Sequence, residues 1–118
     1  IHTGDGIPFA DPTSVYQGAK DHPDVPVILA HAGSESFNQQ ARLLAKKLDN
    51  VFLEPSWCGT NAVKHMIEEV GCDKILFSSD NLDQIPVELA KYRQIIKNED
   101  DLEKVMWKNT VRIFNLKL

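Results

Sequence analysis

The chain has 118 residues, 42% of them hydrophobic and 25% charged, with a net charge of -4. That is the make-up of one soluble globular domain, residues 1–118, and it leaves room for little more. The negative balance argues against nucleic acid or an anionic membrane as partner, and no apolar run approaches the roughly 20 residues that span a bilayer. There is no signal-peptide pattern. Cys58 and Cys72 are the only cysteines; they form no CxxC pair and no disulfide framework, so free thiols in a reducing cytoplasm are the expectation.

The chain opens on Ile1-His2-Thr3-Gly4, which reads as the tail of a strand with nothing before it. This start suggests a fragment, a cleaved product or an incomplete reading frame. After a Gly/Pro-rich loop, Asp11-Pro12 marks a helix start, with Asp11 as N-cap and Pro12 in the first helical position. That helix stops before Pro23, because a residue preceding proline disfavours the helical region.

Val25–Ala30 is a short continuous apolar run, the pattern of a strand buried on both faces. It ends in His31-Ala32-Gly33. Phe37–Leu48 follows as an amphipathic helix, with Phe37, Ala41, Leu44, Ala45 and Leu48 at helical spacing. Val51–Leu53 is the next strand and Asn61–Val70 the next helix, closed by Gly71. Lys74–Phe77 forms a last strand that ends in Ser78-Ser79-Asp80. Pro86 opens a helix to about Lys97, Asp100 or Asp101 starts another through Trp107, and Asn109–Asn115 forms a final short one. Strands alternating with helices in so short a chain mean βα units and a parallel sheet.

Three of the strands end in a metal ligand or proton carrier: His2, His31 and Asp80. The C-terminal rim of a parallel sheet is where α/β folds place their chemistry. Neutral imidazole and carboxylate suit Zn²⁺ and similar divalent ions, and the small neighbours of each residue leave room for an ion, a water and a substrate. A metal in such a place lowers the pKa of bound water from about 15.7 towards 7. Any one of these residues taken alone is more often structural; the pattern of three on one rim carries the reading. Glu54 reads first as a loop carboxylate paired with a nearby base and second as facing the site. His22 and His65 read as structural, Trp57 as a packing residue of a rim loop first and a pocket-lining one second, and Trp107 as core.

The segments Ile1–Gly4, Asp21–Gly33 and Ile75–Asp80 together resemble the C-terminal half of the amidohydrolase-related metal-dependent hydrolases. The branch is the amidohydrolase 2 group, which includes enzymes like aminocarboxymuconate semialdehyde decarboxylase. Lys108-Asn109-Thr110-Val111-Arg112-Ile113-Phe114 is similar to that family's N-A-x-R-L-F ending. The resemblance implies an α/β fold, the C-terminal half (about four βα units) of a TIM (β/α)8 barrel. It implies a metal-dependent hydrolase acting on an amide, ester or lactone of a small molecule, with decarboxylation as the alternative. By that likeness His2 is a metal ligand, His31 a catalytic histidine, and Asp80 both a catalytic acid and metal-linked. Zn is the first choice of metal, with Mn or Fe compatible. Ser78 stands where the family's last strand has glycine. The family's first-strand His-x-His pair is missing, so the half-barrel should lack ligands. It should also expose two strand edges and one sheet face. Its partner is then the missing N-terminal half, or a second copy in a homodimer; a half-barrel that self-associates without catalysis is the remaining alternative.

Overall fold

The computed structural model describes residues 1–117. Two strands form its centre, β1 (Val27–Ala30) and β2 (Val51–Glu54), paired in parallel with Val27 opposite Val51 and Ala30 opposite Glu54. Each is flanked by a further parallel segment. His2 bridges to Ala30 on the outer side of β1, and Ile75 bridges to Leu53 on the outer side of β2. The order across the sheet is therefore the 1–3 segment, β1, β2, and the 75–77 segment. All run the same way, and chain order matches spatial order. Right-handed βα crossovers produce this arrangement in an α/β barrel wall.

The expected first and last strands are each a single bridge rather than a ladder. Thr3 N–H bonds to Ala30 O at 2.9 Å and Leu76 N–H to Leu53 O at 2.9 Å, and the segments then turn away. Part of the far edge is nevertheless covered: Phe77 N–H bonds to the Val105 carbonyl at 2.9 Å. Val105 lies in a π-helical turn, Lys104–Lys108. That wider turn breaks the i→i−4 ladder and frees a carbonyl to reach sideways.

The helices lie against the sheet. A 3₁₀ turn, Pro12–Val15, begins at Asp11, whose side chain accepts from Thr13 N–H, and runs into α1 (Tyr16–Asp21). Then come α2 (Ser34–Lys47), α3 (Thr60–Val70) and α4 (Ile85–Ile95), the last with Pro86 in its first turn. The C-terminal part is α5 (Glu99–Glu103), the π-helical turn and α6 (Asn109–Ile113). The core is formed by Leu29, Val51, Leu53 and Ile75 from the sheet with Ala41, Leu44, Val63, Met66, Tyr92 and Val105 from the helices, all buried. The expected core role of Trp107 is not met. It is 45% exposed: it follows buried Val105 by two positions, and about 100° per residue puts the two on opposite sides of the helix.

Two buried amides fasten the layers together. Asn50 Nδ2 donates to Ala19 O, His22 O and Val25 O at 2.9–3.0 Å, tying the start of β2 to the end of α1. Asn109 Nδ2 donates to Cys72 O and Ile75 O, both at 2.8 Å. The Asn of the C-terminal motif is thus structural and holds α6 on the last sheet segment. His22 and His65 lie on the exposed surface. Cys58 and Cys72 are buried free thiols. Among the described residues no helix is long and apolar enough to cross a membrane.

Candidate active site

The C-terminal ends of the sheet segments meet at one cleft of about 260 Å³, lined by His2, Asp5, His31, Ser34, Trp57 and Asp80. The three rim residues singled out from the sequence thus share a wall. His2 and His31 pack edge to face, ring centroids 4.8 Å apart. Thr3 holds their two strands in register: its hydroxyl donates to Ala30 O and accepts from Gly33 N–H, both at 2.9 Å. The turns after these strands also interlock. Gly4 has φ +111°, and a Cβ there would overlap Ser34 Oγ and the Gly33 backbone. Only glycine permits that approach.

His31 begins a run of positive φ angles that includes Ala32, Gly33 and Ser34. Non-glycine residues in this region cost free energy and persist only where neighbours hold them. The loop after β2 does so. Glu54 accepts from His31 N–H at 3.2 Å and from Ser56 N–H at 2.8 Å. The Cys58 thiol donates to His31 O at 3.1 Å. Ser56 Oγ lies 2.9 Å from His31 Nδ1, and Ser56 O lies 3.4 Å from it. Glu54 therefore pairs with backbone amides, not with a base as the sequence suggested: the end of β2 brings its carboxylate against the amide after β1.

Trp57 is not the packing residue expected. It is 54% exposed, and its indole N–H donates to Asp80 Oδ2 at 2.9 Å. The loop that carries it is anchored from below. Glu88 and Lys91 of α4 form a buried ion pair, 2.6 Å apart. Glu88 Oε1 accepts from Trp57 N–H at 3.3 Å, and Lys91 Nζ donates to Cys58 O at 2.8 Å. Glu35 Oε1 accepts from Gly59 N–H at 2.7 Å. A larger cavity of about 610 Å³ lies on the other side of Trp57, over this ion pair, and contains neither histidine. Burial pushes the Cys58 thiol up to about 12, so it is neither a nucleophile nor a ligand near neutral pH. Ser56 and the Glu88–Lys91 pair are not read from the sequence as site residues, and the pocket-lining role of Trp57 is the second of its two readings.

The donor chemistry fits part of a metal site. His2 Nε2 lies 3.3 Å from Asp5 O. A carbonyl only accepts, so this contact is a hydrogen bond when Nε2 carries the proton; Nδ1 of the neutral ring then keeps its lone pair, the arrangement that ligating imidazoles use. Asp80 has one carboxylate oxygen beyond its bond to Trp57. Among the described residues, however, no three His, Cys, Asp or Glu side chains gather closely enough to hold an ion. One imidazole and one carboxylate are a partial set.

A parallel sheet with helices on its outer face and polar strand ends on one rim defines a segment of an α/β barrel. The chain is a member of the amidohydrolase family described as Amidohydro_2, whose model matches residues 1–116. Solved structures share the fold. An uncharacterised TIM-barrel protein from Bordetella bronchiseptica is 19% identical over 97% of this chain and 44% of its own, with a TM-score of 0.75. Amidohydrolase 2 from Bifidobacterium longum subsp. infantis is 20% identical over 87% of this chain and 45% of its own, with a TM-score of 0.65. A 2,6-dihydroxybenzoate decarboxylase complexed with 2,6-dihydroxybenzoate is 22% identical over 83% of this chain and 37% of its own, with a TM-score of 0.63. The chain thus spans less than half the length of these structures and forms half of a TIM barrel. No curated protein sequence matches it.

Proposed function

We propose that this half-barrel supplies His2, His31 and Asp80 to the active site of a metal-dependent hydrolase, completed by the other half of the barrel. The supporting observation is the cleft itself, where two imidazoles and a carboxylate from three strand ends line one wall. Members of the superfamily generally use a divalent metal. His2 through Nδ1 and Asp80 through its remaining oxygen would hold it, with further ligands from the completing half. Zn is favoured, and Mn or Fe is compatible. Such an ion lowers the pKa of water from about 15.7 towards 7 and polarises a carbonyl.

The chain's own residues do the rest. His31 turns Nδ1 towards Ser56, which leaves Nε2 for the substrate. There it steadies the oxygen of the carbonyl under attack. Asp80 takes the proton of the attacking water and returns it to the leaving group. Trp57 restrains Asp80 through one oxygen and walls the cleft. Amide, ester or lactone hydrolysis of a small molecule is the reaction these roles serve best.

The test uses the enzyme that contains this half-barrel, loaded with Zn or Mn. Hydrolysis of a model aryl ester and carbon dioxide release from a hydroxybenzoate are measured side by side. Ester cleavage that falls at least a hundredfold in His31→Asn and in Asp80→Asn supports the proposal. Carbon dioxide release alone reassigns the cleft to decarboxylation, and full activity in both variants removes these residues from the mechanism.

A further inference from the structure

The mechanism above names Ser56 only as the neighbour of His31 Nδ1, yet its side chain is fully buried and its hydroxyl approaches the one imidazole nitrogen that does not face the cleft. We propose that Ser56 is the positioning residue of His31: it fixes the proton on Nδ1 and leaves Nε2 as a bare lone pair towards the substrate. The inference rests on the reading of His31 as a catalytic residue and adds a direction to it.

The argument is one of donors and acceptors. Two oxygens of the same residue face His31 Nδ1, Oγ at 2.9 Å and the backbone carbonyl at 3.4 Å. A hydroxyl can donate or accept, but a carbonyl only accepts. With the proton on Nδ1, both oxygens are satisfied by one N–H. With the proton on Nε2, the Nδ1 lone pair would face the carbonyl oxygen, and only the hydroxyl could relieve it. The first arrangement is favoured, and the site's low exposure to water strengthens the preference.

The surroundings hold Ser56 in place for this. Its own N–H donates to Glu54 Oε1 at 2.8 Å, while Glu54 Oε2 accepts from His31 N–H at 3.2 Å. One carboxylate thus fixes the two backbones whose side chains must meet. Cys58 Sγ–H adds a third tie, to His31 O at 3.1 Å. Which ring nitrogen is protonated follows from the bond made by the other, and that bond is made by the loop after β2.

The consequence is chemical. A neutral His31 with its proton on Nδ1 cannot donate from Nε2. It accepts there first. It steadies an oxyanion only with a second proton on Nε2, taken from solvent before the attack, because the proton of the attacking water goes to Asp80. Ser56 therefore sets the order of events at His31 without touching substrate.

The chain labelled with ¹⁵N in histidine tests this directly, without an activity assay. Long-range ¹H–¹⁵N spectra of the neutral ring report the tautomer, with His31→Gln to assign the signal. The expected result is a ring mainly protonated on Nδ1, the reverse of the Nε2–H preference of free neutral imidazole. Ser56→Ala keeps the backbone carbonyl and removes the hydroxyl, which alone could satisfy a bare Nδ1, so the Nδ1–H share should stay equal or rise, with an unchanged far-UV spectrum. A wild-type ring mainly protonated on Nε2 overturns the proposal, and so does a Ser56→Ala population shifted towards Nε2–H. The wild-type spectrum decides even where Ser56→Ala does not fold. Failure of hydrolysis with the Nδ1–H tautomer intact would count against the proposed function alone.

Discussion

The indole N–H of Trp57 donates to Asp80 Oδ2 at 2.9 Å, and both residues hold left-handed backbone angles, φ +67° and +62°. Two strained residues from different loops are thus joined side chain to side chain across the mouth of the cleft. Trp57→Phe keeps most of the ring and removes the donor. Asp80 is exposed, so the loss of stability is expected to be small, about 0.5–1 kcal/mol. The functional loss should be larger, because Asp80 gains rotational freedom: kcat in the completed enzyme is expected to fall about tenfold or more. Urea denaturation and a single assay separate the two effects.

The ion pair beneath that loop is the more stringent case. Glu88 and Lys91 are 2.6 Å apart with side chains only 5% and 8% exposed. Removing one partner strands the other charge in the interior, which costs about 3–5 kcal/mol. That is a large share of the roughly 5–15 kcal/mol by which a domain is stable. Glu88→Leu and Lys91→Met are each expected to destabilise by this amount, while the two together should recover about 2 kcal/mol of it or more. A double-mutant cycle in urea checks the coupling; additive losses would mean that the two charges act independently.

Much of this fold is legible in the sequence, and the limits have physical causes. The runs Val27–Ala30 and Val51–Leu53 are continuous and apolar, as strands of a parallel sheet are, and α2 and α3 show a helical stripe because one face of each is buried. His2, His31 and Asp80 are visible as strand endings because a strand carries its last side chain to the rim. The partners of those residues are not visible. Trp57 and Asp80 are 23 positions apart, and their contact depends on two left-handed backbone turns that no local pattern marks. Ser56 and Glu54 are likewise set by a register between strands, Ala30 opposite Glu54, and not by spacing along the chain. Trp107 is misread for a simpler reason: two positions from Val105, it lies on the opposite side of the helix.

Asn109 offers a test of the C-terminal motif. Its buried amide donates to Cys72 O and Ile75 O, and its own Oδ1 accepts from Arg112 at 3.2 Å. Asn109→Ala leaves two buried carbonyls without partners, each a penalty of about 1–3 kcal/mol. Stability is expected to fall by about 2–4 kcal/mol. Asn109→Asp should be worse, since it sets a carboxylate against the same carbonyls. Thermal melts of the three proteins give the order.

Cys58 gives a pH dependence of definite sign. Its thiol is raised from 9.0 to about 12, first by burial and then by the neighbouring carboxylates Glu35, Glu54 and Glu88, with Lys91 opposing. The folded chain keeps this proton at pH values where the unfolded chain releases it. The contribution of Cys58 is therefore fully present below about pH 9 and declines as pH rises from there towards 12. At its steepest the decline is about 1.4 kcal/mol per pH unit. Cys58→Ala removes this titration and carries a packing cost that does not vary with pH. The stability difference between wild type and Cys58→Ala should be constant from pH 6 to 8 and narrow above about pH 9. Alkylation gives a second readout: in the folded protein the rate at Cys58 should climb with pH and reach no plateau below about pH 11, because only the thiolate reacts. A plateau near pH 9 would show an ordinary, solvated thiol and a loop that opens away from His31.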